Sequence, residues 1–98
     1  MRTYEVIYIV HPDLDEPSFK QINDHMQSAI KDNGGKINKA DIWGKRKLAY
    51  PIRKQRDGQY VLLHTEMEPA FCTELERQLR LQEAVMRFLI IATDEDQE

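Results

Sequence analysis

Cysteine is nearly absent from this chain of 98 residues. Cys72 is the only one, so an intrachain disulfide is excluded and the fold must be held by packing. That usage also fits a reducing compartment. Tryptophan is as scarce, with Trp43 standing alone. No apolar run approaches the roughly 20 residues of a membrane-spanning helix. The opening MRTYEVIYIV enters a strand-like pattern without the small-residue cleavage site of a secretory signal, which predicts a cytoplasmic protein with no membrane partner. His11, His25 and His64 are scattered, and no spacing among them, Cys72 and the carboxylates resembles a metal site. No glycine-rich phosphate loop is present, since Gly34-Gly35 reads as a helix stop. No acid–base pair or activated nucleophile stands out. The expectation is a chain without metal, cofactor or small-molecule substrate.

What is present is a segregated charge. The net formal charge is −3, yet the segment from Lys36 to Arg56 holds eight basic residues against one acid, Asp41. Four acids crowd the last five positions: Asp94, Glu95, Asp96 and Glu98. Overall charge argues against a polyanionic partner, and local charge argues for one. Local potential is what a phosphate backbone feels.

The length allows one small domain. Residues 2–10 (RTYEVIYIV) are β-branched and aromatic with apolar groups on both alternating faces, the pattern of a central strand. HPDLDEPS follows as a turn into a helix, with Asp13 or Asp15 as cap and Pro17 in the first turn. Phe19, Ile22, Met26, Ala29 and Ile30 make one helical stripe. Lys36 to Ile52 predicts a long, irregular second strand, bent at Gly44 and placed at a sheet edge by Pro51. RKQRDG reads as a polar connection turning at Asp57-Gly58. A third strand spans Gln59 to Glu66. Pro69 opens a second helix with Phe71, Cys72, Leu75 and Leu79 on one side, and a last strand covers Ala84 to Ala92.

This order, βαββαβ, predicts an α+β, ferredoxin-like split βαβ fold. Two helices cover one face of a four-stranded antiparallel sheet whose first and third strands are central. Residues 1–92 form the single domain, and 93–98 an acidic, disordered tail. The second sheet face is left open and partly apolar, so something should cover it.

The fold alone decides no function. Ile7-Tyr8-Ile9 has a passing likeness to the first-strand half of an RNA recognition motif, but DGQYVLLH lacks the basic-Gly-aromatic order of the other half. Tyr8 and Tyr60 read better as core or interface residues than as base-stacking platforms. A partner-independent single-stranded RNA binder and a small ferredoxin-like enzyme or metabolite-binding dimer both stay open as alternatives. The basic block carries the stronger signal. An edge strand uses two or three cations against aggregation, and eight exceed that need. Lys and Arg on a strand and its loop reach phosphates without reading sequence.

Trp43-Gly44-Lys45-Arg46-Lys47-Leu48-Ala49-Tyr50-Pro51-Ile52 closely resembles the signature of the bacterial small-subunit ribosomal protein six family. Arg2-x-Tyr4-Glu5, His11-Pro12-Asp13, Gly35-Lys36-Ile37, Tyr60-Val61-Leu62, Glu74-Leu75-Glu76 and Ala84-Val85-Met86-Arg87 extend the likeness over residues 1–92. The resemblance implies a non-enzymatic constituent of the small ribosomal subunit. It also implies binding to the central domain of 16S ribosomal RNA together with ribosomal protein eighteen. Lys45, Arg46, Lys47, Arg53, Lys54 and Arg56 are the candidates for RNA or partner contact, with Arg2 and Arg87 on neighbouring strands. Trp43, Leu48, Tyr50 and Ile52 are candidates for a protein-partner surface, with core packing as the competing role for each.

Overall fold

The computed structural model describes residues 1–93. The elements run β1 (Arg2–Val10), α1 (Glu16–Asp32), β2 (Lys36–Ile52), β3 (Gln55–Met67), α2 (Phe71–Leu81) and β4 (Val85–Ala92). The strands pair antiparallel in the order β2-β3-β1-β4, which makes β1 and β3 central as the sequence predicts. The ferredoxin-like expectation holds. Thr93, the first residue of the expected tail, donates its amide to the Thr3 carbonyl at 2.9 Å, and the rest of that tail lies outside the described residues.

Strand alternation divides the sheet into two chemistries. On β1, Tyr4, Val6, Tyr8 and Val10 face the helices, and all are buried. Their β3 neighbours on that face are Val61, Leu63, Thr65 and Met67. Ile22, Met26 and Ile30 from α1 and Phe71, Leu75 and Leu79 from α2 complete this core. Phe19, Ala29 and Cys72 pack against its margin, half-buried. The tyrosine hydroxyl in the middle of this core needs a partner. Tyr8 Oη–H donates to Asn23 Oδ1 at 2.5 Å, and both residues are buried. Burial, with the Asp24 carboxylate adding to it, pushes the Tyr8 phenol well above its ordinary range, so it stays a donor.

Helix α1 begins where Asp15 accepts from the Ser18 amide at 3.3 Å, with Pro17 in the first turn. The amide of its C-cap, Asn33, donates back to Ile30.

The other face holds a second, smaller cluster. Ile9 of β1, Leu48 of β2 and Met86 of β4 are buried together, with Ile52 and Tyr60 packed against them. They meet over Gly58. A Cβ at Gly58 would collide with Ile9 Cγ2 and lie 3.3 Å from Met86 Cε and 3.6 Å from Leu48 Cδ2. Gly58 is therefore a strand residue under a lid of side chains. The expected turn at Asp57-Gly58 is corrected accordingly: β3 begins four residues before Gln59, at Gln55. Gly58→Ala is expected to destabilise the protein by about 1–3 kcal/mol through overpacking. Urea unfolding checks this, and the penalty should shrink when Gly58→Ala is made in an Ile9→Ala chain, which lacks the clashing Cγ2; an unchanged midpoint for Gly58→Ala would show that the seam is loose.

Candidate nucleic-acid interface

Strands β2 and β3 run on past their last neighbour on β1, the Val10–Gln59 pair. The extension is a hairpin that curls over that end of the sheet. Its pairing is broken once. Register passes from Lys47↔Asp57 directly to Ile52↔Gln55, so Leu48 to Pro51 on one strand face Arg56 alone on the other. Pro51 lacks a backbone donor, which suits an excursion of this kind. Within it Leu48 turns inward to the cluster over Gly58, while Tyr50 stays outward at 59% exposure. The Arg87 Nη1–H donates to the Tyr50 hydroxyl at 2.9 Å and ties the excursion to β4.

The hairpin turn is Arg53-Lys54, with φ of +50° and +66°. Two successive left-handed residues between paired strands make the two-residue turn that matches sheet twist. Asn or Gly usually fills it. Here Arg and Lys do, at a cost of roughly 1–2 kcal/mol each. Arg53 recovers some of this through its guanidinium, which donates to the Glu83 carbonyl at 2.8 Å and the Val85 carbonyl at 3.2 Å. Arg53 thus clamps the turn to the start of β4. Lys54 makes no hydrogen bond or ion pair among the described residues and stays exposed.

Six cations therefore lie on one hairpin: Lys45, Arg46, Lys47, Arg53, Lys54 and Arg56, with Asp57 beside them opposite Lys47. All but Asp57 are sequence-selected candidates, and the fold brings them together. It also brings Arg87 alongside, as the open-face neighbour of Ile9. Arg2 is not brought there. It pairs with Met67 at the far end of the sheet, eight residues of β1 away from Val10, or roughly 26 Å.

Trp43 is not core. It lies 46% exposed, and the bulge between Ile42 and Gly44 sets it against Tyr60, ring centroids 6.0 Å apart and planes 19° apart. Gly44 takes φ +78° to allow that bulge. Leu48 is core and Ile52 half-buried beside it, so of the four partner candidates only Trp43 and Tyr50 present large exposed surfaces. Tyr8 is fully buried on the helix side, which overturns the base-stacking role for it and with it the recognition-motif alternative.

Sequence reasoning expected a partly apolar open face without naming the residues that form it. Ile7 and Leu62 pair across the two central strands, and Leu89 pairs with Ile7 from the other side. Leu89 is 55% exposed and Ile91, two residues on, 39%. The unbroken apolar run LIIA gives no alternation that would have singled them out. This strip is bordered by His64, held between Glu5 at 3.7 Å and Asp41 at 3.6 Å.

On the helix side the one strongly shifted carboxylate among the described residues is Glu74. Hydrogen bonds from Arg77, then from Gln78, hold it down to about 2. It stays ionised, the opposite of what a proton donor needs.

The family model of ribosomal protein S6 matches residues 3–92. The chain belongs to the ribosomal protein S6 family. It is 45% identical over 95 residues to small ribosomal subunit protein bS6 of Caldanaerobacter subterraneus, covering 97% of this chain and all of the relative. Against the bS6 of Nocardia farcinica the identity is 46% over 94 residues, covering 96% and 99%. The crystal structure of 30S ribosomal protein S6 from Thermotoga maritima superposes with a TM-score of 0.92 at 26% identity, covering 98% of this chain and 91% of that one. The C-terminal domain of MgtC from Mycobacterium tuberculosis shares the fold alone, with a TM-score of 0.69 at 17% identity over 97% and 90% of the two chains. Membership of the S6 family makes the chain a structural component of the small ribosomal subunit and not an enzyme.

The turn gives a prediction that separates stability from charge. Lys54→Gly is expected to raise unfolding stability by about 1 kcal/mol, because glycine adopts φ near +66° without strain. Thermal or urea unfolding checks it, and a destabilised variant would mean that Lys54 makes a stabilising contact outweighing the backbone strain.

Proposed function

We propose that the chain binds the central domain of 16S ribosomal RNA in the cytoplasm through its basic hairpin. It does so as half of a heterodimer with ribosomal protein eighteen, which covers the aliphatic open face. The observation that carries this reading is the hairpin itself. Six cations sit on one double strand whose twist and turn are fixed by Leu48 and Arg53. Cations held this way meet phosphates without first losing the freedom of a flexible loop. A polyanion would relieve the mutual repulsion among them, which Asp57 alone cannot balance.

The open face supports the protein half of the proposal. Leu89, Ile91, Ile7 and Leu62 form an apolar strip with few cations, suited to a side-chain interface more than to a phosphate backbone. Arg87 and Tyr50 stand where the two surfaces meet. Arg2, at the opposite end, belongs to neither patch and is assigned a contact only if the RNA wraps that far.

A salt titration of binding to a central-domain RNA fragment, with and without protein eighteen, tests the RNA half. The variant carries Gln at Lys45, Lys47, Lys54 and Arg56. Arg53 is kept, since its guanidinium holds the turn. Wild type is expected to bind only with the partner. The variant's log–log salt slope should be shallower by about three to three and a half units if all four side chains contact phosphate, each lost contact being worth roughly 0.7–0.9. Lower affinity with an unchanged slope would assign the hairpin to the protein partner.

Leu89→Asp tests the other half. It should abolish heterodimer formation in sedimentation without RNA while leaving the unfolding midpoint nearly unchanged, because the side chain is already exposed. A heterodimer of undiminished affinity would place the partner elsewhere.

A further inference from the structure

Trp43 poses a problem of its own. Exposing nearly half of a tryptophan costs hydrophobic stabilisation, and this one is held out by a bulge that requires a left-handed Gly44. Its indole is stacked from one side on Tyr60, itself packed on the cluster of Ile9, Leu48 and Met86. The chain of support therefore runs from the sheet through Tyr60 to the indole. Arg46 lies over the ring with its guanidinium carbon 6.0 Å from the centroid, and its Nε–H donates to the Trp43 carbonyl at 3.3 Å. Arg46 pairs with Gly58 on the open face that carries Tyr60, whereas Lys45 and Lys47 alternate to the other face of the strand. The nearest acid along β2, Asp41, is already engaged by Lys39 at 3.8 Å and by His64.

We infer that Trp43 is a stacking site for one unpaired nucleobase of the bound RNA. The inference rests on the RNA-binding reading above and adds a base contact to its phosphate contacts. An aromatic face backed by a second ring, with a guanidinium beside it, matches a nucleotide in both its parts. The base meets the indole, and Arg46 meets the adjoining phosphate. A protein side chain would gain as much from the indole but nothing from the Arg46 charge. The aliphatic strip of Leu89 and Ile91 already offers it a surface without that charge. Stacking accepts any base, so the site adds affinity and position without adding sequence choice.

Trp43 is the only tryptophan, so its emission reports this site alone. The experiment titrates the central-domain RNA fragment into the heterodimer, following RNA retention and, with a tryptophan-free partner, Trp43 emission. Trp43→Phe and Trp43→Leu are compared in the same assay. Strong quenching by RNA is expected, in step with retention. Leu should weaken binding roughly five- to a hundred-fold, and Phe much less. Retention without a change in emission, equal binding by the Leu and Phe variants, or an emission change complete on adding the protein partner before RNA would each overturn the stacking site and leave the RNA-binding reading intact. Absence of RNA retention by wild type would overturn both. Matching unfolding midpoints for the two variants show that neither result comes from misfolding.

Discussion

The seating of Leu48 over Gly58 is the contact on which the interface depends. The hairpin has no β1 strand beneath it and would otherwise be a free two-stranded ribbon, which is marginally stable in water. Leu48, Ile9 and Met86 give it a core of its own on the face that the helices do not use. The missing side chain at Gly58 is what lets those three meet. The excursion of Leu48 to Pro51 follows from the same requirement: the strand leaves its ladder so that one leucine reaches inward. Tyr50 is then carried outward to Arg87, and Trp43 finds Tyr60 as a base to rest on. A small apolar seam thus sets the position of every cation on the hairpin.

The sequence made the helix-side architecture legible because its signals are local. Alternation in YEVIYIV, the 3.6-residue stripe of Ile22, Met26 and Ile30, and the Asp15 cap each follow from neighbours in the chain. The turn was misread for a physical reason. Asp57-Gly58 has turn chemistry, but its glycine is needed for clearance beneath Ile9 and not for a left-handed backbone. The residues with positive φ are Arg53 and Lys54, which propensity assigns elsewhere. The basic block was visible as composition. Its division was not, because the guanidinium of Arg53 is occupied by carbonyls about thirty residues away in the chain. Leu48 and Trp43 were equally ambiguous, since apolar letters do not say which one a bulge turns outward.

The strained turn and the exposed tryptophan share a logic. In each, a residue that function can use occupies a place where stability favours another: Arg and Lys where glycine fits, Trp where a polar side chain would. Strain of this kind persists only when the surroundings over-determine it. Here the Arg53 clamp and the Tyr60 stack do so. The helix-side core, with the Tyr8–Asn23 hydrogen bond at its centre, supplies the margin from which both are met.

Thr93 leaves the sheet beside Thr3, whereas Arg53 touches Val85 at the other end of the same strand. Eight residues of β4 separate the two points, roughly 26 Å at strand rise. The six cations of the hairpin lie at the Val85 end, at and beyond the Val10–Gln59 pair, and not where Thr93 leaves the sheet. Positive charge is therefore concentrated at one end of the described sheet. In the field of a polyanion such a molecule is turned before it arrives, so the hairpin end would lead and productive encounters would exceed those of random orientation.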